Sequence, residues 1–164
     1  MISAENRNRT VTRRRFLGLA WISSLLGLFG QASFSMYRFF KPRYEPGAFG
    51  TKIVAGRIDE FVPGTVSHIQ QGRFYITRLE DGGLLALWQR CTHLGCTVPW
   101  REDEALFHCP CHSSIFDSQG EVISGPAPRP MDLFPIEIID SEVLVNTGSP
   151  IERSAFDPSQ LTYG

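Results

Sequence analysis

This chain has no internal repeat, no formal charge between Phe16 and Tyr37, and no long helical period after residue 50. The first absence excludes a solenoid or propeller of stacked units. The second leaves 22 uncharged residues in a row; as a helix they span roughly 33 Å, enough for a hydrocarbon core of about 30 Å. The third excludes a helical or alternating α/β head. Length is a further limit, since 164 residues support one modest domain and a short appendage.

Charge of one sign is scarce wherever the other is plentiful. Residues 1–50 carry eight Arg or Lys against two Glu, and residues 51–164 carry eight against fifteen Asp or Glu. A nucleic-acid binder would place its positive charge on the folded domain, so no nucleic-acid partner is expected. A basic cytoplasmic end and an acidic exported head fit the split. Arg7, Arg9, Arg13, Arg14 and Arg15 precede the apolar stretch. The positive-inside rule then puts the N-terminus in the cytoplasm and the head on the outer side of the cytoplasmic membrane. Thr12-Arg13-Arg14-Arg15-Phe16-Leu17 also resembles the twin-arginine export signal, which carries folded, cofactor-loaded proteins. Ser23, Ser24, Gln31, Ser33 and Ser35 make the segment only moderately apolar, as such signals are. Ala32 and Ser33 are the nearest match to a peptidase site, but no clear small-x-small sequence follows the apolar core. A retained single-pass anchor is therefore expected.

The order along the chain follows from these shifts. Residues 1–15 read as a basic tail, 16–40 as the membrane helix and 41–50, with its Pro and Gly, as a linker. The head runs over 51–148, and 149–164 form a polar tail without periodic signal. Within the head, 52–58, 64–69, 73–78, 84–88, 121–123, 135–139 and 142–145 are strand-like. Pro63-Gly64, Gln71-Gly72 and Asp81-Gly82-Gly83 separate them as turns. The head is expected to be all-β, an antiparallel sandwich or barrel carrying a loop insert at about 88–130.

Cysteine and histidine are few, four of each. All four cysteines and two of the histidines fall in two boxes, Cys91-Thr92-His93-Leu94-Gly95-Cys96 and Cys109-Pro110-Cys111-His112. Cys91 with His93, and Cys109 with His112, form two pincers suited to the two irons of a 2Fe–2S cluster. Two thiolates on one iron and two imidazoles on the other raise the potential above that of an all-cysteine cluster. Cys91 and His93, two apart on an extended loop, can point the same way. Cys109 and His112 are three apart and need a tight turn, which Pro110, Ser113 and Ser114 permit. Two Cys and two His also suit tetrahedral zinc, although zinc explains neither Cys96 nor Cys111. His68 reads as a strand residue on the solvent face and His108 as pointing away; neither is expected to bind metal. Trp88 and Trp100 read as packing residues.

The paired boxes, the stretch Gly125-Pro126-Ala127-Pro128 and the N-terminal anchor together resemble the Rieske iron–sulfur proteins. Within them the resemblance is to the high-potential subunits of cytochrome bc-type quinol-oxidising complexes, and it covers most of the chain. It implies one 2Fe–2S cluster on Cys91, His93, Cys109 and His112, with a disulfide between Cys96 and Cys111. Such a bridge closes a loop of about fifteen residues, contributes on the order of 3 kcal/mol, and implies an oxidising compartment. Two small buried thiols are the alternative. Gly125–Pro128 would cover the cluster, Ser114 would donate to a cluster sulfur, and 41–50 would be the hinge of a swinging head. Phe116 stands where many high-potential members have a tyrosine donating to the Cys109 sulfur, which implies a potential below the top of the range, as a menaquinol oxidase needs. Ser113 stands where glycine is usual.

The implied function is oxidation of a quinol at His93 and His112, electron and proton leaving together, with delivery to a c-type cytochrome. The implied partners are a cytochrome b-type membrane subunit, the c-type cytochrome, the quinol and the membrane. Two rivals remain: the Rieske subunit of an exported molybdenum oxidase such as arsenite oxidase, and an oxygenase-type carrier, for whose catalytic domain the chain is too short.

Overall fold

The computed structural model describes residues 12–41 and 48–164. Most of the basic tail 1–15 and of the expected hinge 41–50 lies outside the described residues. The chain divides into two compact units on either side of Arg43 and Tyr44.

Among the described residues the first unit is one helix, α1 (Arg13–Phe40). Thr12 caps it, its hydroxyl oxygen accepting from the Arg15 N–H at 3.4 Å, so the helix starts three residues before the apolar stretch. Its 28 residues extend about 42 Å at 1.5 Å each, longer than a bilayer core, and no side chain on it is buried by protein. The hydroxyls of Ser23 and Ser24 both donate to the Ala20 carbonyl, at 2.9 and 2.8 Å. That removes the main penalty for carrying serine in hydrocarbon, because these polar groups are satisfied within the helix.

The second unit is a layered all-β head. Strands β1 (Lys52–Arg57), β10 (Ile136–Ile139) and β11 (Glu142–Asn146) form a base sheet in the order β1-β11-β10. The middle sheet is β2 (Thr65–Ile69), β3 (Phe74–Arg78), β4 (Leu84–Trp88) and β9 (Leu133–Phe134) in the order β2-β3-β4-β9. All described pairings are antiparallel. The run Leu84-Leu85-Ala86-Leu87 explains the layering: it does not alternate, because both faces of β4 are buried. Phe74, Ile76, Leu84 and Ala86 face the base sheet and pack on Ile53, Phe134, Val143 and Val145. Tyr75, Leu85 and Leu87 face the other way, onto Phe107, Phe116, Met131 and the two cysteines Cys91 and Cys109. Each fully buried large apolar side chain contributes about 1.5–3 kcal/mol.

The segment expected as a loop insert is a third sheet. It consists of β5 (Trp100–Arg101), β6 (Leu106–His108), β7 (Ile115–Phe116) and β8 (Val122–Ser124), in sequence order. Strands of two or three residues are too short to show a period in sequence. Trp100 packs edge-on against Phe107 with centroids 4.7 Å apart, and Trp88 lies against Phe49 and Phe134.

Residues 149–164 are not a loose tail. Ile151 and Leu133 exchange backbone hydrogen bonds at 2.7 and 3.0 Å, and Thr162 and Leu84 do so at 3.1 and 2.9 Å. The segment straps across the middle sheet. Its order comes from these partners, which lie 18 and 78 positions upstream, and no local pattern announces them.

Candidate metal centre

Each box folds as the same six-residue clamp. In the first, the Cys91 N–H donates to the Cys96 carbonyl at 2.8 Å and the Gly95 N–H to the Cys91 carbonyl at 2.9 Å. In the second, the Cys109 N–H donates to the Ser114 carbonyl at 2.8 Å and the Ser113 N–H to the Cys109 carbonyl at 3.1 Å. The fourth residue after each leading cysteine is thereby forced into the left-handed region, Gly95 at φ +82° and Ser113 at φ +57°. Glycine adopts this geometry freely, whereas serine carries about 1–2 kcal/mol of strain. The sequence departure at Ser113 thus falls on the strained position of its clamp.

The clamps aim four donors at one region. Cys91 and Cys109 are free, buried thiols at the rim of the upper core. Burial pushes the Cys91 thiol above its usual range, the His93 peptide N–H opposes this, the neighbouring Cys109 thiol adds to it, and the Ser114 hydroxyl opposes it. The rings of His93 and His112 lie 4.9 Å apart, edge to face. His93 Nδ1 is buried without a hydrogen-bond partner, an orphaned polar atom of the kind a metal would satisfy. His112 is exposed. Two paired thiols and two paired imidazoles, one imidazole nitrogen unpartnered, fit the two irons of a 2Fe–2S cluster.

They do not fit one zinc. Ligand atoms around a tetrahedral zinc at about 2.3 Å lie within about 4 Å of each other. Among the described residues, the trio of His, Cys and carboxylate donors within 4.8 Å of one another is Cys96, Cys109 and Cys111. Cys96 and Cys111 are joined in a disulfide, so their sulfurs have no thiolate to offer. The bridge instead ties one clamp to the other.

The proline segment lies on both clamps. A side chain at Gly125, φ +95°, would put its Cβ 2.5 Å from Ser114 Cα, so the backbones touch there and only glycine fits. The Ala127 N–H donates to the Ser114 hydroxyl at 3.2 Å. On the other side, the Thr92 hydroxyl donates to the Arg129 carbonyl at 2.6 Å. Arg129 pairs with Asp132, and at 3.4 Å with Glu152 of the strap. The contact between Thr92 and Arg129 carries no sequence signal, because it bridges 37 positions.

The two remaining histidines stay apart from this region. His68 stacks on Tyr75 at 4.4 Å, and its Nε2 lies 2.8 Å from Gln89 Oε1. His108 Nε2 stands 2.9 Å from Glu104 Oε2 without a hydrogen bond between them. Phe116 is fully buried on β7 opposite Phe107.

Comparison with known proteins agrees with the geometry. The family model described as the Rieske [2Fe-2S] domain matches residues 51–138. The cytochrome b6-f complex iron-sulfur subunit of Prochlorococcus marinus (strain NATL1A) is 31% identical over 165 residues, 89% of this chain and 91% of that protein. The cytochrome b6-f complex iron-sulfur subunit 1 of Synechocystis sp. is 29% identical over 156 residues, 86% of this chain and 88% of that protein. Among solved structures, naphthalene 1,2-dioxygenase with indole bound in its active site aligns with TM-score 0.51 at 19% identity, over 62% of this chain and 27% of that one. This last likeness is one of fold alone.

Proposed function

The chain belongs to the Rieske 2Fe–2S family, and from that premise we propose that it is the membrane-anchored iron–sulfur subunit of a bc- or b6f-type complex. It takes one electron and one proton from a quinol, of the low-potential menaquinol type, and passes the electron to a c-type cytochrome. The observation that carries this reading is similarity to b6f iron-sulfur subunits over 86% and 89% of the chain, in a chain that also has a helix long and apolar enough to cross a membrane. An oxygenase-type carrier shares only the head.

Cys91 and Cys109 would hold one iron, and His93 and His112 the other. The cluster, when bound, supplies a one-electron acceptor at a potential raised by imidazole ligation. The chain's residues do the rest. His93 turns Nδ1 inward, which leaves Nε2 as the nitrogen that receives the quinol's proton, and exposed His112 offers a second ring. Gly125–Pro130 and the disulfide exclude water from the sulfur side. Ser114 orients the sulfur of Cys91 and the cover together. The apolar, arginine-led α1 anchors the head on the outer face, with 41–50 as its tether and Thr12–Leu17 as a twin-arginine export signal.

The test is affinity purification of the tagged full chain from membranes, with a redox titration followed by electron paramagnetic resonance. The reading expects a co-purifying b-type cytochrome and a rhombic 2Fe–2S signal that quinol reduces. A molybdopterin subunit in place of the cytochrome defeats it.

A further inference from the structure

The strap carries one buried cation. Arg153 is 7% exposed, and its three donor arms are all used. Nε donates to the Met131 carbonyl at 2.8 Å, one terminal nitrogen donates to Gln160 Oε1 at 3.0 Å, and the other donates to the Gln119 carbonyl. Burial pushes its pKa down, against Glu121, Asp117 and Asp132, whose charges favour the cation. Leaving a guanidinium in such a place is costly unless its hydrogen bonds are complete.

The two backbone acceptors lie at opposite ends of one loop-like excursion, which carries β8 and then the proline cover. Gln119 opens it, Met131 closes it, and the proline cover Gly125–Pro130 lies between. The neck is further closed by the Met131 N–H donating to the Gly120 carbonyl at 2.9 Å. Gly120, at φ +77°, would put a Cβ 2.7 Å from the guanidinium, so glycine leaves the room the fork occupies. The far end of this loop rests on the clamps through Gly125, Ala127 and Arg129. We propose that Arg153 is a positioning residue: from the C-terminal strap it pins both ends of the 119–131 loop, and so sets where the proline cover lies over the cluster loops.

This inference rests on the reading of the two boxes as cluster loops, but its test does not depend on quinol chemistry. Backbone hydrogen–deuterium exchange is measured on the full chain with its cluster, for wild type, Arg153→Met and Arg153→Lys. Lysine keeps the buried charge and stem but lacks the fork, and it supplies the answer if the methionine variant does not fold. Loss of bonds from a charged donor should accelerate exchange at Met131 and Ala127 on the order of tenfold in both variants. Tyr75 and Ile76 in β3 should exchange at the wild-type rate, and the paramagnetic line shape of the cluster should shift as its cover moves. Wild-type exchange at Ala127 in Arg153→Lys, or acceleration spread equally into β3, overturns the proposal.

Discussion

Ser114→Ala removes two interactions that meet at one buried hydroxyl. Ser114 is fully buried and accepts from the Ala127 N–H at 3.2 Å, which leaves its own proton free, and the hydroxyl lowers the pKa of the Cys91 thiol. The first loss orphans an amide in a buried residue, at about 1–3 kcal/mol. At roughly 4 °C per kcal/mol for a domain of this size, Tm should fall by about 4–12 °C. The second loss acts on the potential. A hydroxyl donating to a thiolate stabilises the more negative, reduced state, so removing it lowers the midpoint. A charge-assisted bond of about 1.5–3 kcal/mol sets a ceiling near 65–130 mV for one electron. The bond persists in both oxidation states, so only its change in strength counts, and a fall of a few tens of mV, well below that ceiling, is expected. Calorimetry and an electron paramagnetic resonance titration of the same preparation read both effects. A folded, fully loaded variant with an unchanged or raised midpoint would refute the assignment of that proton to sulfur.

Three further predictions follow from neighbouring residues. Phe116→Tyr adds a donor beside Cys109 and should raise the midpoint by up to about 60 mV, while overpacking a fully buried site at about 1–3 kcal/mol; an unmoved midpoint would show that the added hydroxyl does not reach the sulfur. Ser113→Gly relieves a left-handed residue and should stabilise the head by about 0.5–1 kcal/mol, seen as a Tm rise, with the potential unchanged; a lower Tm contradicts the strain assigned to that clamp. Burial raises the phenol pKa of Tyr75, partly offset by its hydrogen bond with the Trp100 backbone. The folded value then exceeds the unfolded one near 10, so this contribution to stability is complete below about pH 10 and is lost as pH rises through the folded pKa. Tyr75→Phe should flatten the alkaline decline of the urea midpoint, and an identical decline in both proteins removes Tyr75 as its source.

Much of the fold was legible in local patterns. An uncharged run gave the helix, and its start moved only because Thr12 supplies a cap. The alternating and continuous apolar runs gave the base sheet and β2–β4 of the middle sheet, since a strand of four to six residues is long enough to show its period; the two-residue β9 was not among them. Of the small sheet only β8 was legible, through the strand-like stretch 121–123; β5, β6 and β7 are shorter than the pattern that would reveal them. The strap was missed for a different reason: its partners, Leu84 and Leu133, are remote in sequence.

The sequence alone determined the chemistry, because two thiols and two imidazoles at those spacings leave few metals to bind. It also determined the side of the membrane expected for each end, through where the arginines stop. Only the tertiary structure decided that both boxes form one repeated clamp, that Gly125 touches Ser114, and that Arg153 reaches back to hold the loop between Gln119 and Met131. Ligand identity is a property of side chains and survives in a string of letters. Placement depends on hydrogen bonds closed between distant positions, and these exist only once the chain has folded.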